Sequence, residues 1–567
     1  MAPPPKKPNI LVMVADDLGF SDTGPYGSEI ATPYLDRLAR EGLRMTDFHT
    51  AASCSPTRAM LLSGTDSHIA GLGAMAEWMN KAPEVFAGRA GYEGYLNKKV
   101  AAMPEVLQEN GYFTVMSGKW HLGLTKELAP CSKGFDRSFT FLPGAGNHYN
   151  NEPQLEGKPT ALLKGEGRGF WMENERFLDP HEEVPKPFYS STTFTEKLIG
   201  FLDERTGEER EKPFFAYLPF TAPHWPLQAP REKIDKYRGQ YDDGPHALRD
   251  RRLVALQREG LVPADVIPAP LHTMRQKPWD EMNPEEQKRS ARAMEIYAAM
   301  VDVMDENIGK VLSYLTSTDE LDDTFVVFMS DNGAEGNMLE AVPVLAGATL
   351  DAVIAKYYDN SFENLGNANS FVWYGPQWAS AATAPSRGVK SYSTEGGIRC
   401  PCIVRYPAGL KRAGGSISHA FTTVMDVLPT VLELAGLAHP APWFQGREVA
   451  GLRGRSWGAL LAAAEDDVVA YDEEAPIVAW EQIGVAAVRR GQWKAVFLPP
   501  PKGKGGWELY DLSRDLGEID DLSEREPAKL KEMMKYYETY FQETGMFDSY
   551  ELYYRAVKAN GKRPPVW

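Results

Sequence analysis

Four segments of this 567-residue chain share one construction: a short run apolar at consecutive positions, followed by a polar loop. "NILVMVADD" ends on Asp16 and Asp17, and "YFTVMSGKWHLG" runs into Lys119 and His121. "PFFAYLPFTAPHWP" runs into His224, and "TFVVFMSDNG" ends on Asp331 and Asn332. A strand apolar on both faces must be covered on both faces, the setting of a central strand between helix layers. Helical patterns lie between these runs. "TPYLDRLAREG" offers Thr32 as a cap, Pro33 in the first turn and Gly42 as a stop. After Asn283, the residues Met294, Tyr297, Val301, Met304, Ile308, Val311 and Leu315 recur at three- and four-residue spacing, a core-facing stripe. Strands alternating with helices predict an α/β fold.

The C-terminal part follows a different pattern. "VMDVLPTVLELAG" reads as the last helix of the main body and "APWFQGREVAGLRGR" as loop. "VAAVRRG", "WKAVFL" and "WELYDL" then read as short strands, followed by a helix from about Glu526 to Tyr540. This predicts a main domain over 1–450 and a smaller α+β domain with an antiparallel sheet over 451–567, the boundary falling within 436–470.

The net charge of −17 argues against a general nucleic-acid binder, which needs a basic face. Any anion site must therefore be assembled locally from a few cations. The apolar run of "MAPPPKKPNILVMVADD" is short and ends in two aspartates, so it is expected to be neither a signal peptide nor a membrane span. A soluble cytoplasmic protein without membrane partners is expected. The four cysteines, Cys54, Cys131, Cys400 and Cys402, then form no disulfide framework. In "RCPCIVRYP", Cys400 and Cys402 read as small apolar residues of a buried strand.

Ligands bind parallel α/β sheets at the carboxyl ends of the strands. If the strands before Asp16 and Asp331 are neighbours, four oxygen donors converge there: Asp16, Asp17, Asp331 and Asn332. An all-oxygen set suits calcium or magnesium rather than zinc. Either motif alone reads as a helix cap or a turn; together they favour a metal. "SCSPTR" adds the other half of a site. Pro56 fits the first turn of a helix, which sets Cys54 at its N-terminus, where negative charge is favoured. Arg58, four residues on, shares a face with position 54. Such a place lowers a thiol pKa. A thiolate is nonetheless a poor partner for a hard cation, a mismatch that disappears if the sulfur is exchanged for oxygen.

"CSPTR" resembles the C-x-P-x-R signature of the formylglycine-dependent (type I) sulfatases of the alkaline phosphatase superfamily. "ADDLGFSD", "TPYLDRLAREG", "SGKWHLG", "APHWP", "SDNGAEG", "TEGGIRCP", "VMDVLPTVLELAG" and "ELYDLSRDLGE" resemble the same family in family order. "GYEGYLN" and "FHTAASCSPTR" place the chain near bacterial cytoplasmic-type arylsulfatases. The resemblance implies a large mixed, mostly parallel sheet between helix layers. It also implies that a separate, transiently bound maturation enzyme oxidises Cys54 to formylglycine, whose hydrate is both nucleophile and metal ligand. By the same resemblance, one calcium is expected on Asp16, Asp17, Asp331, Asn332 and the residue at 54. Arg58 and Lys119 are expected to bind the diol region, His121 to bond one hydroxyl, and Lys390 and His224 to meet the sulfate group. Lys390 rests on a looser local match, "SRGVKSYSTEGG", because residues 336–386 read as variable in the family.

The implied reaction is the hydrolysis of a small-molecule sulfate monoester. One diol oxygen attacks sulfur while Asp331 accepts its proton, and His224 protonates the departing phenol or alcohol. His121 then takes the second hydroxyl proton, and the covalent sulfate hemiacetal collapses to aldehyde and sulfate. Lys119, Lys390 and Arg58 offset the charge in transfer. Trp225 and "FVWYGPQW" read first as packing and second as an apolar wall for an aryl group.

Two other functions compete. A phosphonate monoester or phosphodiester hydrolase would use the same aldehyde and fold. By the resemblance those relatives carry Asp-His where this chain has Asp331-Asn332, which favours sulfate esters, with promiscuity toward phosphoryl esters expected. A catalytically silent binding protein would lack at least one of Cys54, Arg58, Lys119, His121 or His224, and all are present. The resemblance sets no oligomeric state.

Overall fold

The computed structural model describes residues 7–153, 170–274, 276–336, 350–466, 468 and 470–561. Residues 337–349 of the stretch read as variable, and the first six residues, lie outside them. Ten strands form one sheet in the order Ser416–Ser418, Leu43–Met45, Cys402–Arg405, Thr324–Ser330, Asn9–Ala15, Phe214–Pro219, Phe113–Lys119, Arg137–Phe141, Trp171–Glu173, Arg176–Leu178. The middle five, from Thr324–Ser330 to Arg137–Phe141, are parallel. Cys402–Arg405 runs antiparallel to both its neighbours, and the last two strands continue antiparallel. This is the expected mixed, mostly parallel sheet.

The central strands are buried along their whole length. Leu11, Met13, Val115, Leu218, Val326 and Phe328 pack on one side with the helix Pro284–Ser317. Ile10, Val12, Val14, Tyr217, Val327 and Met329 pack on the other with the helices Cys54–Ser63 and Val427–Leu434. Consecutive apolar residues thus serve two cores, one per face.

The stripe Met294–Leu315 is buried as expected, and Asn283 caps its helix by accepting from the Glu285 and Glu286 amides. Thr32 holds the N-cap position as expected, but its side chain does not bond to the helix. Its hydroxyl accepts from the Gly24 amide. Asp305 of the long helix caps Pro33–Glu41 from outside, accepting from the Tyr34 and Leu35 amides at 3.1 and 2.8 Å.

The C-terminal strands form a separate antiparallel sheet of four, Val478–Gln482, Val485–Arg490, Trp493–Phe497 and Trp507–Asp511. Val478–Gln482 is a strand beyond the three expected, the helix runs Pro527–Thr544, and a further helix spans Tyr550–Ala559. Much of the segment expected as loop is loop, with a small hairpin pairing Trp443–Phe444 and Arg447–Glu448. Buried ion pairs tie this sheet to the main body: His68 to Glu481, Arg489 to Asp47 and Lys494 to Glu395. The cysteines are unpaired, and Cys400 and Cys402 are buried. Among the described residues no helix is long and apolar enough to cross a membrane.

Candidate active site

The four strands with chemical loops are adjacent in the sheet. Ala15 stands beside Ser330 and Val14 beside Pro219. Asp16 and Asp331 therefore leave the sheet side by side, with Lys119 at the end of its own strand two places over. The local grammar, strand then polar loop, becomes a single constellation because the topology makes neighbours of strands more than 300 residues apart.

Cys54 is the first residue of the helix Cys54–Ser63, every residue of which is buried. Ser53 holds the N-cap position in extended conformation but spends its hydroxyl on Gln482, so its side chain makes no capping bond to the helix. The Cys54 thiol, the Asp16 carboxylate and the Asp331 carboxylate can bring one ligand atom each to within 4.8 Å of one another, as can Asp16, Asp17 and His224. Burial would raise the thiol pKa, but Lys119, His121 and Lys390 bring it down to about 6. The direction is the expected one. The cations responsible come from two other loops rather than from Arg58.

Arg58 spends its hydrogen bonds on fixing a carboxylate. Its Nε and Nη2 donate to Asp331 Oδ2 at 3.0 and 2.7 Å, and Nη1 donates to the Lys119 carbonyl. Lys119 Nζ donates to Asp16 Oδ2 at 2.6 Å, and Lys390 Nζ lies 2.7 Å from Asp17 Oδ1. Three buried cations thus face three buried carboxylates. Burial pushes Asp16 well up, Lys119 opposes it, and Asp331 and Asp17 add to the rise. Asp17 instead falls to about 2, since Lys390, His224 and Lys119 outweigh its burial.

The two histidines differ in what holds them. His224 donates from Nδ1 to the Trp225 carbonyl at 2.6 Å, which leaves Nε2, 3.4 Å from Asp17, toward the site. Burial holds His224 well below its ordinary pKa; Asp17 opposes this, and Lys390 and Lys119 reinforce it. His121 faces Cys54 Sγ with Nδ1 at 3.2 Å and Glu77 Oε1 with Nε2 at 3.0 Å. Burial would lower its pKa, but the Glu77 carboxylate and the Cys54 thiolate raise it to about 9. Asp17, His121 and Ser391, which follows Lys390, hold positive φ of 68°, 59° and 72°. Non-glycine residues adopt this region at a cost, and such positions cluster at functional sites. Gly333 allows the closest approach between loops: a Cβ there would meet the Gly396 carbonyl at 1.8 Å. The "DNG" and "TEGG" turns are packed together in this way, and Lys390 is delivered beside Asp17.

The donors fit a hard cation. Asp16 Oδ1 and Asn332 Oδ1 are buried without a hydrogen-bond partner, a costly condition that a cation relieves. Asn332 spends its amide nitrogen on Asp17 and the Gly333 carbonyl, which leaves only the oxygen to offer. Asp16, Asp17, Asp331, Asn332 and an oxygen at position 54 would make an oxygen-only set, as calcium prefers.

All the predicted site residues lie in this one region. Sequence reasoning missed three more. Glu77 pairs with His121, His148 donates from Nε2 to the His224 carbonyl at 2.8 Å, and Glu335 stands 3.3 Å from Lys390. None carries a local signal, because each partner is distant in sequence. Trp225 and Phe371 pack together beside Cys54 with ring centroids 5.8 Å apart, whereas Trp378 is deep core.

A protein-family model described as "Sulfatase" matches residues 8–437. An uncharacterized sulfatase of Schizosaccharomyces pombe is 54% identical over 541 residues, 95% of this chain and 94% of that protein. An arylsulfatase of Klebsiella aerogenes is 36% identical over 436 residues, 76% of this chain and 87% of that protein. Among solved structures, one titled "Crystal structure of Ps i-CgsB" superposes with a TM-score of 0.65 at 23% identity, covering 98% of both chains, and supports the fold. With strand-end carboxylates, buried cations and a cysteine-led helix meeting in the segment the family model spans, this chain belongs to the sulfatase family, the hydrolases of sulfuric esters.

Proposed function

We propose that the protein is an arylsulfatase that cleaves a small aryl sulfate to a phenol and inorganic sulfate, with an oxygen nucleophile made from Cys54. The observation that carries this is the placement of the position-54 side chain. It sits at a buried helix N-terminus without a side-chain cap from Ser53, grouped with Asp16 and Asp331 and 3.2 Å from His121. The Cys54 sulfur stands in for an oxygen of a hydrated formylglycine. Calcium, held by Asp16, Asp17, Asp331, Asn332 and residue 54, would acidify that hydroxyl and polarise a sulfate oxygen.

The chain's own residues divide the remaining work. Lys119 and Lys390, both buried, offset the charge of the transferring group. Arg58 holds and aims Asp331 through two hydrogen bonds to Oδ2, with Asp331 beside the nucleophile as its proton acceptor. His224 protonates the departing oxygen from Nε2, taking up that proton as the anionic ester enters. His121 takes the second hydroxyl proton of residue 54. Aryl preference is supported by the apolar side chains grouped with Cys54, among them Met75, Trp225 and Phe371, and by the name of the Klebsiella relative. Asn332, a neutral donor, supports sulfate over phosphoryl esters as the principal substrate, with some activity on the latter. The unpaired cysteines support a cytoplasmic setting, and the separate C-terminal sheet supports the division into 1–450 and 451–567. The test is release of nitrophenol from nitrophenyl sulfate, together with mass spectrometry of the peptide across position 54. An active enzyme with an unmodified thiol there would refute the nucleophile.

A further inference from the structure

His121 is held on two sides by features that the reaction as described does not use. Glu77 Oε1 lies 3.0 Å from Nε2, and the Glu77 carboxyl is held below its usual range: burial would raise it, but His121 lowers it. An ionised carboxylate only accepts, so Nε2 carries the proton in this pair. Gly144 closes the other side. A Cβ at that position would come within 2.4 Å of His121 Cε1 and Nε2, so the ring lies flush against a backbone that only glycine supplies. The His121 backbone is itself in the left-handed region, with its amide donating to the Leu142 carbonyl at 3.0 Å. The ring is therefore fixed in orientation, with Nδ1 directed at the side chain of residue 54, 3.2 Å away.

We propose that Glu77 is the positioning residue of His121 in the release half of the reaction, completing a chain of three groups: residue 54, His121, Glu77. This rests on the oxygen-nucleophile reading above. In the release step, the free hydroxyl on the carbon of residue 54 gives its proton to His121 Nδ1. The electron pair of that O–H bond forms the carbon–oxygen double bond, the bond from the same carbon to the sulfate oxygen breaks, and sulfate leaves with that pair. No oxidant or further reactant is consumed. Nδ1 can accept only from a neutral ring that carries its proton on Nε2. The Cys54 thiolate, one of the two anions that raise the His121 pKa, is replaced by a neutral hydroxyl in this step, and the Glu77 carboxylate, 3.0 Å from Nε2, selects the Nε2–H tautomer. The arrangement follows the logic of a histidine oriented by a buried acid. Glu77 bonds to His121, and residue 54 bonds to His121 from the other side of the ring. Glu77 arrives on the short helix Ala76–Met79, anchored by the buried Trp78 and Met79.

Attack on sulfur does not need His121 as a base; release does. In Glu77→Gln the shape is kept and the fixed acceptor is lost, because the amide can present its NH2 and turn the ring to the other tautomer. The expected outcome is a fall in kcat of about 10²-fold, within the range of general acid–base contributions, with KM changed by no more than about twofold. Enzyme quenched at steady state should carry one sulfuryl group on the peptide containing residue 54, where the wild type carries little. Glu77→Asp, which restores a carboxylate, should recover part of kcat and lose the adduct. Adding His121→Ala to Glu77→Gln should cost little beyond His121→Ala alone, since the two act as one unit. An aldehyde at position 54 together with wild-type kcat in Glu77→Gln, or slow turnover without adduct, would overturn the role of Glu77 alone. A thiol at position 54 in active enzyme would overturn the nucleophile and this proposal together.

Discussion

At the scale of single residues the decisive feature is how little of the site is open. Cys54 is 2% exposed and Arg58, Lys119, Asp16 and Asp331 are fully buried. If Cys54 is converted as proposed, its burial requires the converting enzyme to act before the chain has folded. Maturation supplied after folding should therefore leave the protein inactive, whereas co-expression with the maturation enzyme should yield activity, both scored by mass across position 54. Cys54→Ser should fold, accept a sulfuryl group and stop, because a serine ester has no second hydroxyl; sustained multiple turnover would refute the release route. His224→Ala should cost little on nitrophenyl sulfate and about 10²–10⁴-fold on phenyl sulfate, as a general acid matters most for a basic leaving group. Equal losses on both esters would reduce His224 to positioning. Asp16→Asn removes one charge from the proposed calcium set, and elemental analysis should fall from about one hard divalent ion per chain toward none.

At the scale of elements, helix ends show where local rules hold and where they yield. Asn283 followed by Pro284 and Glu286 is a complete N-terminal signal, and the helix begins there. Thr32 carries the same kind of signal, yet its hydroxyl serves Gly24 and the cap comes from Asp305 across the helix pair. Asp305→Ala should therefore destabilise the protein by about 1–2 kcal/mol, the range of a lost cap, whereas Thr32→Val should act through the Gly24 turn instead. Urea midpoints of the two variants, together with Asp305→Asn, give the comparison. The strand Val478–Gln482 and the helix Tyr550–Ala559 were not legible because their apolar residues face partners already in place. Trp480 packs into the main core, and Tyr553 and Val557 pack beside Trp78 and Phe86.

At the scale of the whole molecule, the C-terminal sheet is joined to the main body by buried charge. His68 is bonded on both nitrogens, to Asp66 at 2.9 Å and to Glu481 at 3.1 Å, and Tyr540 donates to Asp66. Burial would lower the His68 pKa, but the two carboxylates raise it to about 9. A pKa raised in the folded state gives stability that is fully present below the ordinary value near 6.5 and is lost as pH rises through about 9. The difference across that window is roughly 3 kcal/mol. Urea denaturation between pH 6 and pH 10 should show this loss, and His68→Gln should be less stable at pH 6 and flatter across the window. A variant with the same slope as the wild type would remove the joint from the account.

The amino-acid sequence by itself determined the elements that carry chemistry and the order in which they come. Consecutive apolar residues demand a strand covered on both faces, and Pro56 sets a helix start next to Cys54. These are statements about neighbours in the chain, decided over a few residues. Only the tertiary structure decided that Ala15 stands beside Ser330, that Lys390 reaches Asp17 rather than solvent, and that Glu77 backs His121. Those contacts join residues 44 to 373 positions apart. Such contacts leave no periodicity in the sequence, because what selects them is the shared burial of charge that must find a partner once water is gone.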